Sequence, residues 1–224
     1  YLFVVKPFKR KQRHKTSHNF LIGINSFIGF LYAKSTLEQL EDKDGCYPCC
    51  VIEDEPAYRW RGAMLDVSRH FFPISFLKKQ IDVMSSYKMN RLHLHLTDVA
   101  GWRMEIKRYP RLTNFAAWRT DSLWKTWWND GKRHYAQEGT PGAYGGYYTQ
   151  DECREVVRYA AERYINVVPE IDLPGHMQSA LHVFPNLGCT GGPYPVRTYW
   201  GVSREVLCGG NPETLTFLKT ELGE

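Results

Sequence analysis

The chain has 224 residues, of which 43% are hydrophobic and 14% aromatic, and this composition excludes a disordered protein. Its net charge of +5 comes from a basic run between residues 6 and 15, so a nucleic-acid partner is not indicated. No segment approaches the ~20 consecutive apolar residues that a membrane-spanning helix needs.

The first part of the chain predicts two strands and one helix. The strands Leu2–Val5 and Phe20–Ile24 flank the basic run, which we interpret as a solvated hairpin turn. A localisation signal or a patch for an anionic polymer is the alternative. Ser26–Leu40 has the apolar spacing of an amphipathic helix, and Val51–Tyr58 is interpreted as a linker. We place a domain boundary at residue 56, between residues 1–56 and 57–224.

Beyond this boundary the pattern alternates between apolar strands and helices. Three strands are predicted, over Gly62–Val67, Leu92–Thr97 and Asn166–Ile171. A helix starting at Pro73 separates the first two strands, and a helix starting at a capping box in residues 149–152 precedes the third. The βαβαβ order favours an α/β fold with a parallel sheet, as in a parallel barrel.

Each predicted strand leads into charged residues. Arg69 follows the first strand, Asp98 ends the second, and Asp172 and His176 follow the third across a Pro-Gly turn. Because active sites of parallel barrels lie at the carboxyl ends of the strands, we expect these side chains to meet there. The alternative is a set of salt links without a chemical role. Glu170 is expected to point into the barrel interior or towards a neighbouring strand.

Arg69, His93 and His95 each allow two interpretations. The paired donors of Arg69 suit vicinal sugar hydroxyls or a carboxylate, but they could merely neutralise the local acids. His93 and His95 lie two residues apart and so share one face of their strand. They could bind zinc in a metal-dependent barrel hydrolase, or pack among the barrel layers. Because no third ligand is clearly placed, we predict no metal site.

The six cysteines give one candidate disulfide. Cys46, Cys49 and Cys50 crowd a turn, but no second Cys/His pair follows at zinc-finger spacing. Cys189 and Cys208 bracket a segment rich in Gly and Pro, and a disulfide between them would contribute ~3 kcal/mol. Such a pair is typical of an oxidising compartment.

Several motifs stand together in one order. They are residues 61–72 (RGAMLDVSRHFF), 87–98 (YKMNRLHLHLTD), 146–150 (GYYTQ), 169–176 (PEIDLPGH) and 188–193 (GCTGGP). In this order they closely resemble the family-twenty glycoside hydrolases, the β-N-acetylhexosaminidases. The resemblance runs from residue 52 to 216, with a weaker match to the family's preceding α+β domain in residues 20–40. It implies a TIM barrel, of which this chain would hold about the first three of eight βα units.

The resemblance also implies an activity. Family members remove terminal β-linked N-acetylglucosamine or N-acetylgalactosamine from oligosaccharides and glycoconjugates, without a cofactor. The mechanism is substrate-assisted and retaining, with the sugar's 2-acetamido oxygen as nucleophile. An aspartate orients the acetamido group, and the neighbouring glutamate protonates the leaving oxygen. The family prior is a secreted, periplasmic or lysosomal protein; this chain shows no targeting signal and does not predict an oligomeric state.

Carried over by position, the resemblance assigns roles to the strand-end residues. Arg69 matches the arginine that binds the sugar's 3- and 4-hydroxyls. Asp98 and His176 match the pair that supports the general acid, and Asp172 matches the acid beside them. The candidate disulfide matches a pair of cysteines that some members oxidise.

Two features depart from the family pattern. Val99-Ala100 stands where the family has a second acid and a glutamine before Gly-Trp, and no Asp–Glu pair stands in the family's His-x-Gly-Gly-Asp-Glu setting. Since Glu224 falls in the helix before the expected fourth strand, we expect an inactive and poorly stable fragment. The alternative is a catalytically dead sugar-binding module. Trp118, Trp124, Trp127 and Trp128 could stack on sugars, but we interpret them as packing over the barrel mouth.

Overall fold

The structure, a computed structural model, describes residues 2–7, 18–24, 26–120, 133–197 and 201–224. Two three-stranded sheets organise these residues, an antiparallel sheet in the first part of the chain and a parallel sheet in the second. None of the helices in these ranges is both long and apolar enough to cross a bilayer.

The antiparallel sheet has β1 (Leu2–Pro7) at its centre, between β2 (His18–Gly23) and β3 (Val51–Glu53). The two predicted hairpin strands are therefore confirmed. Residues 8–17, which hold most of the basic run, lie outside the described residues. The predicted linker is wrong at its start, because β3 pairs with β1 over three residue pairs. Val51 and Ile52 are β-branched, and their backbone completes the second edge of β1.

One helix, α1 (Phe27–Leu40), contacts the second part of the chain. The hydroxyl of its buried Tyr32 accepts a hydrogen bond from Arg61 Nη2 at 2.7 Å. Nearby, Lys88 Nζ lies 2.8 Å from an oxygen of Asp54. These contacts join the segments on either side of residue 56, and the domain boundary at that residue stays a prediction.

A strand, a helix and a parallel strand follow: β4 (Gly62–Asp66), α2 (Ile74–Ser86) and β5 (Arg91–His95). α2 begins directly after Pro73, as predicted. It buries Leu77, Ile81 and Met84 in the same apolar cluster as the strands. Full burial of such a side chain contributes ~1.5–3 kcal/mol, so this face holds α2 on the sheet.

Two short antiparallel strand pairs lie in the connection after β5. β6 (Thr97–Asp98) pairs with β7 (Gly101–Trp102), the helix α3 (Arg111–Asn114) follows, and β8 (Trp118–Thr120) pairs with β9 (Ala143–Gly145). Trp102 is fully buried in a second apolar cluster. Trp124, Trp127 and Trp128 lie outside the described residues, so their predicted packing stays a prediction.

The parallel sheet is completed by α4 (Gln150–Ala161) and β10 (Asn166–Glu170). β10 pairs with β5, and the strand order is β10-β5-β4. The chain continues through α5 (Gln178–Val183), a 3₁₀ turn (Pro185–Leu187) and α6 (Pro212–Glu221). The three predicted strands, their parallel pairing and the α/β class are thus confirmed.

The start of α4 carries the predicted capping box. The side chain of Thr149 accepts a hydrogen bond from Glu152 N at 3.2 Å, and the carboxylate of Glu152 accepts one from Thr149 N at 2.8 Å. Amides at a helix start have no partner within the helix, so these two bonds fix the residue at which α4 begins.

We predict that Thr149→Ala lowers the free energy of unfolding by ~1 kcal/mol, because it removes the cap acceptor. Equilibrium urea denaturation measures the change. Thr216→Ala is the matched control, since Thr216 is exposed within α6 and away from its cap. Alanine there should leave stability unchanged or raise it slightly. Equal losses in the two variants would contradict the prediction.

Candidate active site

The carboxyl ends of the three parallel strands bring the predicted site residues together. Asp66, His95 and Glu170 form the last residue pairs of the two ladders, so they lie side by side at this edge. The chain segments that follow these strands line a cavity of about 630 Å³. Its lining includes Arg69, Asp98, His176 and Arg197. This edge is the one at which parallel barrels carry their active sites.

The Asp98 carboxylate is the centre of the site. It is fully buried, and one of its oxygens meets Arg69 Nη2 and His95 Nε2, the latter at 3.0 Å. The other oxygen lies 3.0 Å from His176 Nδ1 and accepts a hydrogen bond from Val99 N at 2.5 Å. Burial alone would raise the pKa of Asp98, but the bond from His95, the charge of Arg69 and the bond from His176 lower it. The group is therefore a carboxylate at neutral pH.

The β6–β7 hairpin holds Asp98 in this place. The Asp98 carbonyl accepts a hydrogen bond from Ser179 Oγ at 2.8 Å, and the Val99 carbonyl accepts one from Tyr135 at 2.5 Å. Thr97 Oγ1 accepts a hydrogen bond from Asp172 N at 3.1 Å. The hairpin is thereby fixed to the segment after β10, although Val99 and Ala100 replace the polar residues that the resemblance leads one to expect.

Arg69 connects two acids and still reaches the cavity. Its Nη1 lies 2.5 Å from Asp66 Oδ2, and its Nη2 meets Asp98. Asp66 Oδ1 also accepts hydrogen bonds from the amides of Ser68 and Arg69, at 3.0 and 2.9 Å. About a third of the Arg69 side chain, 34%, stays exposed. Arg69 thus neutralises local acids, as one interpretation held, and also presents a guanidinium to the cavity, as the other held.

His176 reaches Asp98 from the segment after β10. Its backbone adopts a left-handed conformation with φ of 57°, which is uncommon outside glycine. Its side chain is 43% exposed, and its Nε2 lies 3.9 Å from Asp172 Oδ2. The Pro-Gly turn therefore does return Asp172 and His176 to one space, with the closer bond made to Asp98.

His95 and Glu170 join the site and were not assigned to it from the sequence. His95 is 5% exposed, and its Nδ1 lies 3.1 Å from Glu170 Oε2, which also lies 2.5 Å from His93 Nε2. Burial opposes protonation of His95, but its bonds to Asp98 and Glu170 outweigh burial and raise its pKa to about 9. The two histidines share one face, as their spacing predicts. The missing signal was the parallel register, which sets His95 opposite Glu170.

The described residues contain one group with metal-ligand geometry. One ligand atom each of His95, Glu170 and Asp172 lie within 4.8 Å of one another. However, both ring nitrogens of His95 already meet carboxylates, and His93 does not belong to this group. The geometry thus favours an ionic network over the alternative of a metal-dependent hydrolase using His93 and His95.

The candidate disulfide lies at the base of a segment that lines the cavity. Cys189 and Cys208 are free thiols here, and a side-chain hydrogen bond with Cys208, in which the Cys189 thiol is the donor, raises the pKa of Cys189. The Cys208 amide donates a hydrogen bond to the Leu187 carbonyl at 2.8 Å, which brings the two ends of the segment together. Arg197 and Val202, both on the cavity wall, lie between the two cysteines. The disulfide itself stays a prediction.

We predict that the protein loses stability as pH rises from 6.5 to 9. The folded pKa of His95, about 9, exceeds the ordinary value of 6.5, so folding favours the protonated form. The contribution of His95 is complete below pH 6.5 and is lost as pH rises through 9. Urea midpoints measured across this range test it. His95→Gln should flatten the slope, while His134→Gln, at an exposed site, should keep it. An unchanged slope in His95→Gln would refute the assignment.

We also predict that Cys189 and Cys208 pair under oxidising conditions, because their thiols are already in contact. Peptide mapping by mass spectrometry without reductant should recover the cross-linked peptides, and reductant should lower the urea midpoint. Cys153 is the internal control, since burial raises its pKa to about 11 and its thiol should stay reduced. Recovery of Cys189 only as a free thiol, or joined to Cys46, would show the pairing to be wrong.

Comparisons with known proteins identify the family of this chain. A profile described as Glycosyl hydrolase family 20, catalytic domain, matches residues 58–224. The Beta-hexosaminidase of Porphyromonas gingivalis is 37% identical over 210 residues, which cover 94% of this chain and 25% of that protein. A crystal structure of a beta-N-acetylhexosaminidase superimposes with a TM-score of 0.78 at 37% identity, covering 99% of this chain and 44% of that one.

A mutant Streptomyces plicatus beta-hexosaminidase in complex with product (GlcNAc) superimposes with a TM-score of 0.72 at 38% identity, covering 87% of this chain and 37% of that one. This chain therefore spans between a quarter and less than half of these relatives. The profile nevertheless matches most of the chain, and the catalytic domain it describes is a TIM barrel. The chain belongs to glycosyl hydrolase family 20.

Proposed function

We propose that the protein containing this chain is a β-N-acetylhexosaminidase. It removes terminal β-linked N-acetylglucosamine or N-acetylgalactosamine from oligosaccharides or glycoconjugates. The observation that carries this proposal is the convergence of Arg69 and His176 on the buried Asp98 at the carboxyl ends of three parallel strands. Family membership and the GlcNAc product bound to the Streptomyces plicatus relative support the choice of sugar.

Arg69 supports recognition of the sugar. Asp66 and Asp98 hold its guanidinium in one direction, and the exposed part of the side chain faces the cavity. A planar guanidinium has donors on both sides of its fork, and the donors that the acids leave free suit two neighbouring hydroxyls. We infer that these are the 3- and 4-hydroxyls of the terminal sugar.

His176 and Asp98 support acid catalysis. Asp98 Oδ1, 3.0 Å from His176 Nδ1, favours the tautomer with its proton on Nδ1 and leaves Nε2 available. Nε2 lies 3.9 Å from Asp172 Oδ2, and His176 lines the cavity. We infer that this nitrogen binds the general acid when substrate is present, with Asp172 as a neighbouring charge.

The proposed reaction is substrate-assisted and retains the anomeric configuration. The oxygen of the sugar's 2-acetamido group attacks the anomeric carbon, while a carboxylic acid protonates the leaving oxygen as its bond to that carbon breaks. A second carboxylate orients the acetamido group and stabilises the positive oxazolinium ring, which water then opens. We propose that no cofactor takes part.

The two carboxylates of that reaction have no counterparts among the 224 residues. Adjacent acids occur at Glu41-Asp42, in the run Glu53-Asp54-Glu55 and at Asp151-Glu152. They lie at the end of α1, at the end of β3 and in α4, and none follows His-x-Gly-Gly. We propose that this chain supplies about the first three of eight βα units, after the end of an α+β domain, and does not hydrolyse substrate alone.

A sugar-binding protein without catalysis is the alternative. One observation favours it: the buried Val99 and Ala100 stand where the resemblance leads one to expect an acid and a glutamine. We also propose a secreted, periplasmic or lysosomal location, and its support is the family resemblance together with the candidate disulfide.

We predict that the intact protein hydrolyses a chromogenic N-acetyl-β-glucosaminide and that residues 1–224 alone do not. In the intact protein, Arg69→Met should lower kcat/KM about 100-fold, because it removes donors that bind the sugar hydroxyls. Arg158→Met, at an exposed position of α4, is the matched control and should leave kcat/KM unchanged.

Three outcomes separate the alternatives. Hydrolysis by residues 1–224 at a rate near that of the intact protein would contradict the proposal that this chain lacks the two catalytic carboxylates. Binding of N-acetylglucosamine by the intact protein without hydrolysis would favour the sugar-binding alternative. An Arg69→Met variant as active as wild type would remove Arg69 from the substrate contacts.

A further inference from the structure

Arg103 is a fully buried cation at the end of the β6–β7 hairpin. Its guanidinium donates five hydrogen bonds, and each acceptor is a backbone carbonyl among the described residues. Nε lies 3.1 Å from Val67 O and 3.2 Å from Ser68 O, and Nη2 lies 2.6 Å from Ser68 O. Nη1 lies 2.5 Å from Ala117 O and 3.0 Å from Gly146 O. Burying a charge without hydrogen-bond partners is very unfavourable, and these five bonds offset that cost.

The first two acceptors directly precede Arg69 in the chain. A second buried guanidinium, that of Arg119, donates from Nη2 to the Arg69 carbonyl at 3.0 Å. Three consecutive carbonyls, at residues 67, 68 and 69, are thus each bound by a buried arginine. Ser68 Oγ adds a hydrogen bond to the Gly101 carbonyl at 2.7 Å. Hydrogen bonds from buried arginines therefore hold all three carbonyl groups of the backbone segment that carries the Arg69 side chain.

The other contacts of Arg103 connect this backbone to Asp98. The Arg103 amide donates to the Leu96 carbonyl at 3.0 Å, just beyond β5, and the hairpin that ends beside Arg103 carries Asp98 in its first strand. The remaining acceptors, Ala117 and Gly146, lie next to β8 and β9. Arg103 therefore contacts the segment of Arg69, the hairpin of Asp98 and the β8–β9 strand pair at once.

The Arg103 guanidinium packs so closely on Gly101 that no space is left for a side chain at this residue. A Cβ at Gly101 would lie 2.8 Å from Arg103 Nη1 and closer still to its Cζ, inside any normal contact distance. The backbone of Gly101 has no positive φ, so the requirement is for space and not for a special conformation. Gly101→Ala consequently displaces the guanidinium without changing Arg103.

We propose that Arg103 is a positioning residue for Arg69: by binding the carbonyls of Val67 and Ser68 it fixes the direction in which Arg69 meets the sugar and Asp98. This inference rests on the proposed function for its catalytic consequence. Its structural part, the fixed backbone at residues 67–69, is measurable without substrate.

The first test is Arg103→Lys in the intact protein. Lysine keeps the charge but cannot span carbonyls on four residues. We expect KM for a chromogenic N-acetyl-β-glucosaminide to rise about 10-fold with a smaller change in kcat, because a misdirected Arg69 weakens sugar binding. In an Arg69→Met background, Arg103→Lys should cause no further loss, since both changes act on one contact.

Arg61→Lys is the matched control. Arg61 also binds backbone carbonyls, those of Lys88 and Tyr58 at 2.8 and 2.6 Å, but at the opposite end of β4. Its replacement should leave KM unchanged. Losses in Arg103→Lys and Arg69→Met that simply add, or an equal rise of KM in Arg61→Lys, would overturn the positioning role.

The second test is amide hydrogen exchange. Arg103→Lys and Gly101→Ala should each speed exchange at the amides of Ser68 and Arg69 roughly 10-fold, while Arg61→Lys should not. If Arg103→Lys fails to fold, Gly101→Ala carries the same test. Unchanged exchange in the folded variant overturns the inference. If the wild-type protein neither binds nor hydrolyses the sugar, the proposed function fails, and the exchange result alone decides whether Arg103 fixes this backbone.

Discussion

The site depends on one buried carboxylate. Asp98 is removed from water and keeps its charge because donors from three separate strand ends surround it. Arg69 comes from the segment after β4, His95 from β5 itself and His176 from the segment after β10. A charge in this position is very unfavourable without such partners. The three strand ends are therefore held at fixed distances by the need to neutralise a single group.

The charges extend on both sides of Asp98. Together with Asp98, the side chains of Asp66 and Glu170 make three carboxylates at the centre of the site. The positive charges of Arg69 and the protonated His95 partly balance them. Burial would otherwise raise the pKa of Glu170, but its bonds from His95 and His93 lower it. The ionic bonds occupy only part of the Arg69 and His176 side chains. The parts that stay exposed line the cavity.

The sequence was sufficient for the strands and for the residues that follow them, because apolar runs ending in charge mark the active face of a parallel barrel. The sequence did not predict β3, because Val51–Glu53 is short and forms a strand only by pairing with the free edge of β1. Glu170 points towards the neighbouring strand β5, as expected, but its partners depend on the register between β5 and β10, so its place in the site was not predicted. Arg103 was missed because a guanidinium that binds carbonyls needs no acidic partner, and so leaves no charge pattern in the sequence.

Asp98 lies in the β6–β7 hairpin and accepts hydrogen bonds, whereas Arg103 directly follows this hairpin and donates them. Where a parallel strand ends, its last carbonyls lose the next strand's amides as partners, and buried carbonyls must find other donors. Asp98 collects donors and so orders side chains, while Arg103 supplies donors to Val67 and Ser68 and so orders the backbone. A side chain that binds substrate is directed only as well as the backbone that carries it. The geometry of Arg69 therefore requires both groups: the anion that receives its guanidinium and the cation that holds its main chain.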